Sequence, residues 1–121
     1  MPKYMLLLHD NPASFSKLSP EEMQKVIQKY IAWGQRMQNA GVLRDRNKLV
    51  DDNGKVLRKS GSDVRITDGP YSETKEVLGG YYTVEAENYD AIVDIVRDSP
   101  HFDFGGTIEV RQIEEMRRPG N

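Results

Sequence analysis

Ile66-Thr67-Asp68-Gly69-Pro70-Tyr71-Ser72-Glu73-Thr74-Lys75-Glu76-Val77-Leu78-Gly79-Gly80-Tyr81-Tyr82 is the stretch around which the chain is organised. Asp68-Gly69-Pro70 is a strong turn signal, because Gly takes backbone angles closed to other residues and Pro fixes φ and ends a ladder. Alternating charges follow, Glu73-Thr74-Lys75-Glu76, and then a glycine pair opens an aromatic strand. Paired glycines at a strand start mark a backbone that another group approaches closely. The stretch reads as an elaborate loop between two strands, and by itself it names no reaction.

Upstream, Lys3 to His9 is apolar on both faces, as in a central strand covered on each side. Alternation puts Tyr4, Leu6 and Leu8 on one face and Met5, Leu7 and His9 on the other. Asp10 to Lys17 is a polar loop. Ser19-Pro20-Glu21-Glu22 opens a helix: Ser19 caps, Pro20 suits the first turn, and Glu22 completes a capping box. The stripe Met23, Val26, Ile27, Tyr30, Ile31, Gly34, Met37 gives that helix one apolar face, and Gly34 on it implies close contact with a sheet. Gly41 is the expected left-handed cap. Asp52-Asn53-Gly54 is a hairpin signal between Asn47–Val50 and Lys55–Arg58. Asp63 to Thr67 is a short strand, and Leu78 to Ala86 a longer one.

A second helix starts at Glu87 or Asn88, with Ala91, Ile92, Ile95 and Val96 on its inner face, and ends at Pro100. Thr107 to Ile113 is the last strand, with Ile108 and Val110 opposite Thr107, Glu109 and Arg111. The order β-α-β(hairpin)-β-α-β is the split β-α-β, or ferredoxin-like, α+β plan, with both helices on one sheet face.

The quoted stretch also resembles the signature of the DGPF group of YCII-related (YciI-like) proteins, with Tyr71 where the usual residue is Phe. The resemblance extends to Lys3–Leu8, to Leu18–Met23 and to Gly106–Arg111, so residues 1–116 are expected to form one such domain. It implies a homodimer in which two sheets pair face to face as a dimeric α/β barrel. It also implies either a small enzyme of lyase or isomerase type, acting on a small molecule in a cleft of the dimeric barrel near Asp68 and His101, since some relatives resemble dehydrochlorinating enzymes, or a non-catalytic ligand-binding or regulatory module. YciI-like relatives carry a His-Asp pair with the His on the first helix. No histidine stands between Ser19 and Gly41 here, so that pair does not carry over.

The 121 residues fit one domain with its own core. Seventeen basic and nineteen acidic residues are well mixed, with no basic stripe interleaved with aromatics, which argues against nucleic acid as a partner. The absence of cysteine excludes disulfides and thiol chemistry and fits a cytoplasmic protein. Tyr4–Leu8 is too short for a signal core or membrane span. Residues 117–121 have the composition of a disordered tail.

Two histidines are available for acid–base chemistry. His101, at a loop rim after the second helix, is the first candidate, with Asp68 as its carboxylate; the bland alternatives are a carbonyl-capping histidine and an Asx-turn. His9, Asp103 and Glu109 are the other possible members of such a pair. His9, Tyr71, Glu73, Lys75, Glu109 and Arg111 are candidate ligand contacts, though such residues more often serve as packing or solvated surface. Two separated histidines and scattered carboxylates give no metal-ligand spacing, and no phosphate loop or dinucleotide fingerprint is present, so neither metal nor cofactor is expected.

Overall fold

The computed structural model describes residues 1–52, 54–69 and 76–116. Its strands are β1 (Lys3–Asp10), β2 (Leu43–Lys48), β3 (Lys55–Ser60), β4 (Asp63–Asp68), β5 (Val77–Glu85) and β6 (Thr107–Ile113). Its helices are α1 (Pro20–Asn39) and α2 (Tyr89–Val96).

The main sheet has the order β2-β5-β1-β6, antiparallel throughout. With α1 between β1 and β2, and α2 between β5 and β6, this is the strand order that the split β-α-β plan requires. The alternation in β1 holds: Tyr4, Leu6 and Leu8 are buried, while Met5, Leu7 and His9 are only half-buried. The buried set joins Tyr82 and Val84 of β5, Trp33 and Met37 of α1, and Ile92 and Val96 of α2 in one cluster. Both helices therefore cover the same sheet face. Each aliphatic side chain in that cluster contributes roughly 1.5–3 kcal/mol by leaving water.

Helix α1 begins as its sequence dictates. Ser19 Oγ accepts from the Glu22 N–H, and the Glu22 carboxylate accepts from the Ser19 N–H. It ends before Gly41, whose φ of +77° closes the cap. Trp33, absent from the expected stripe, is the largest fully buried side chain and packs on Tyr82 with ring centroids 4.9 Å apart. In α2, Asn88 is the cap and accepts from Ala91 N–H.

One expectation is corrected. Asp52 and Gly54 do not join a hairpin, because β2 pairs with β5, and β3 pairs with β4 in a separate two-stranded sheet. The actual hairpin turn is Gly61-Ser62, between the paired residues Ser60 and Asp63, with Gly61 at φ +62°. Asn-Gly and Gly-Ser are both turn signals, and local turn chemistry does not say which strands then pair. No described helix is long and apolar enough to cross a membrane. The expected tail at residues 117–121 lies outside the described residues.

Candidate functional site

The carboxyl end of β1 builds the site. At Leu8-His9 the pairing with β5 slips: Leu8 faces Gly80 and His9 faces Leu78, so Gly79 is a bulge residue with no partner on β1. Bulges re-aim side chains. Here the Asp10 carboxylate lies over Gly79, in the space a Cβ would take. The Gly79 carbonyl is not wasted, since it accepts from the Leu49 N–H at 2.9 Å. The close approach expected at the glycine pair is thus provided by Asp10 at Gly79, and at Gly80 by the Asn47 carbonyl.

His101 comes to Asp10 from the other end of the chain. A short 3-10 helix, Pro100–Phe104, is capped by Ser99, whose hydroxyl accepts from the His101 N–H at 3.2 Å. The imidazole is 1% exposed, not at a rim. A side chain at Gly106 would overlap its ring. Nε2 lies 2.9 Å from the His9 carbonyl, which can only accept, so Nε2 carries a proton. In the neutral ring Nδ1 then accepts, and the Tyr30 hydroxyl donates to it at 2.8 Å. The carbonyl that His101 binds is thus at the end of a strand, not of a helix. Asp10 Oδ1 is 3.6 Å from the same Nδ1, an ion-pair distance for a protonated ring.

These groups line a cavity of about 680 Å³ between α1 and the helix-covered face of the sheet, within the usual range for a small-molecule site. Met23, Val26, Ile27 and Ile31 of α1, with Phe15, form an apolar wall. Asp10, Tyr30, Arg46, Asn47, Lys48, Asp51, Tyr82 and His101 supply the polar groups. Burial raises the Asp10 pKa, opposed by the charges of His101 and Lys48. Burial, reinforced by the nearby Asp10 charge, pushes the Tyr30 hydroxyl far up, so it stays a donor. Burial also raises Tyr82, while the Arg46 charge opposes the rise. A half-buried carboxyl that holds its proton more tightly, beside a buried imidazole and a phenol, can move a proton to or from a bound molecule. A second cleft, about 640 Å³, lies between Met1–Lys3 and residues 112–115, and no imidazole or phenol lines it.

On the opposite, uncovered sheet face stands a second polar group. His9 Nε2 and Glu109 Oε1 are 3.2 Å apart, and Arg111 donates to Glu109 Oε2 at 3.2 Å. Both bonds hold the Glu109 carboxyl below its usual range, Arg111 more than His9. The expected contacts His9, Glu109 and Arg111 are thus together, but on the far side of β1 from His101. The His9 carbonyl, bonded to His101 Nε2, links the two groups.

Asp68 is elsewhere. It ends β4, is exposed, and pairs with Lys55. The carboxylate that the fold brings to His101 is Asp10, not Asp68, because the hairpin forms a sheet of its own. Tyr71, Glu73 and Lys75 lie outside the described residues. Asp10, Tyr30, Arg46 and Lys48 were missed. Extending the β1 alternation by one position past His9 would have found Asp10 on the face of Leu8. Among the described residues no cluster of His, Cys, Asp and Glu is set to hold a metal ion.

The model of the YCII-related domain matches residues 2–117. An uncharacterized protein of Rhizobium meliloti (strain 1021) is 30% identical over 119 residues, covering 97% of this chain and 95% of that protein. Among solved structures, the 5-chloro-2-hydroxyhydroquinone dehydrochlorinase of Burkholderia phenoliruptrix AC1100, in complex with 2,5-dihydroxybenzoquinone, superposes with a TM-score of 0.57 at 13% identity, covering 94% of this chain and 95% of that one. At that identity the likeness is one of fold. The match along nearly the whole chain is decisive for membership: this chain belongs to the YCII-related family.

Proposed function

We propose that the protein is a small acid–base enzyme of lyase or isomerase type, with Asp10 as the carboxyl that exchanges a proton with a small molecule in the cavity beneath α1. The observation that carries this reading is the Asp10–His101–Tyr30 grouping: a half-buried carboxyl of raised pKa, 3.6 Å from a buried imidazole whose tautomer a tyrosine and a backbone carbonyl fix. Asp10 takes the proton from carbon or oxygen of the substrate. Tyr30 and His101 hold the carboxyl's surroundings in place, and the Tyr82 hydroxyl lies on the cavity wall as a donor for the negative charge that develops. A dehydrochlorinase with a dihydroxybenzoquinone in its structure shares the fold, and loss of HCl from a ring is an acid–base elimination. The residues named above, not that likeness, carry the assignment.

The proposal includes a homodimer through the uncovered sheet face, where Met5, Leu7 and Tyr81 remain half-buried. The cavity itself lies within one chain.

Solvent deuterium incorporation tests the reading. Small carbon acids, including cyclic diketones and hydroxyquinols, are followed by proton NMR in deuterium oxide. Exchange catalysed by the wild type and cut about a hundredfold or more by Asp10→Asn supports it. Exchange unaffected by Asp10→Asn contradicts it. A second reading, a binding module without catalysis, has one observation in its favour: both nitrogens of His101 are already engaged.

A further inference from the structure

We infer that Arg46 is an anion seat, and that the molecule this cavity takes is a monoanion, a single carboxylate carried on an apolar aromatic or aliphatic body. The inference rests on the cavity being a ligand site and adds the ligand's charge class.

Arg46 is exposed and lies on the helix-facing side of β2, opposite Tyr82 in the register. Its guanidinium occupies the position where a side chain at Gly34 of α1 would stand. The helix thus leaves a gap, in its otherwise apolar stripe, that this one cation fills. Arg46 lies beside Tyr82, whose hydroxyl feels its charge, and it makes no ion pair among the described residues. A guanidinium has five donors in a planar fork, so without an ion-pair partner it can offer two of them to a bidentate carboxylate.

The other charges of the cavity are accounted for. The Lys48 ammonium donates to Asp51 at 2.9 Å and to the Leu49 carbonyl at 3.0 Å. Asp10 faces His101 and holds its proton more tightly than a free carboxyl. What remains is one cation with spare donors facing an apolar wall. Because Asp10 and Asp51 line the same space, a dianion such as a phosphate monoester meets repulsion that a monoanion partly escapes. The apolar wall fits an uncharged body and strengthens the field of the nearby cation.

The test is calorimetric and NMR titration of the full chain with four probes: benzoate, benzamide, benzylamine and phenyl phosphate. Benzoate is expected to bind with shifts at cavity residues, about tenfold or more tighter than benzamide. Arg46→Gln should remove that preference and leave benzamide unchanged. Arg46→Lys should restore it only in part, since an ammonium lacks the fork. A thermal melt of each variant confirms folding, and Arg46→Lys carries the comparison if Arg46→Gln does not fold. The proposal is overturned if benzamide, benzylamine or phenyl phosphate binds as tightly as benzoate. It is also overturned if Arg46→Gln leaves benzoate affinity unchanged, or if benzoate at millimolar concentration shifts no cavity residue. Failure of the proton-transfer reading is separate: deuterium exchange indifferent to Asp10→Asn, with benzoate still bound at Arg46.

Discussion

The main sheet and the β3–β4 hairpin are built from the same alternation of apolar and polar residues, yet they end in opposite states. In the sheet, Leu6 and Val84 are fully buried. In the hairpin, Leu57 and Ile66 face each other across the strands at 61% and 62% exposure, with Val64 on the same side at 59%. Period-2 patterning gives a strand a face but does not supply the layer that covers it. Two helices cover the sheet. Within one chain nothing described covers the hairpin, and two strands alone are marginal in water. The site follows the same division. Asp10 and His101 sit where layers meet and are shielded, whereas Asp68 belongs to the hairpin and is solvated.

The largest expected effect is in the sheet's core. Trp33→Ala should cost about 3–5 kcal/mol in denaturant unfolding, or prevent folding, since it empties the largest buried volume. Tyr30→Phe comes next. It removes the donor to His101 Nδ1 and leaves a buried ring nitrogen unpaired, at a cost of about 1–3 kcal/mol.

Asp10→Asn has the opposite sign. The folded-state pKa of Asp10 is raised above its ordinary 3.8. Its contribution to stability is therefore full below that value and is lost as pH rises through the folded pKa. At neutral pH the Asn variant should melt higher than the wild type, and the difference should vanish in acid. A variant less stable at neutral pH would mean that Asp10 is a structural group. Glu109 runs the other way. Its lowered pKa gives a contribution present above the ordinary carboxylate range and lost as pH falls through the folded value.

The smallest effects belong to the hairpin. Asp68→Ala removes an exposed pair worth about 0–1 kcal/mol. Leu57→Ala should change stability by no more than about 0.5 kcal/mol if that face is open to water. A loss above about 2 kcal/mol that depends on protein concentration would break the comparison and place a second copy over the hairpin.

The fold was legible because its signals are local and agree with one another. Ser19, Pro20 and Glu22 start α1, Gly41 stops it, and β1 and β6 alternate as written. The pairing of β3 was not legible, because two turn signals, Asn53-Gly54 and Gly61-Ser62, compete within ten residues and each is locally sound. In the site, His101 stood out as a rare residue, but the strand was expected to end at His9, one position short of the carboxylate that meets it, Asp10. Arg46 and Lys48 lie in a run of five polar residues, Arg44 to Lys48, where no apolar member marks the faces. Tyr30 was hidden in a stripe that reads as core packing.

The central claim, that Asp10 is a shielded carboxyl coupled to His101, is most directly tested by a carbon-13 NMR pH titration of aspartate-labelled protein, with Asp10 assigned through Asp10→Asn. The expected result is a midpoint above the ordinary aspartate range that moves further up in His101→Gln, where the opposing charge is gone. A midpoint at or below the ordinary value, indifferent to His101→Gln, would contradict it.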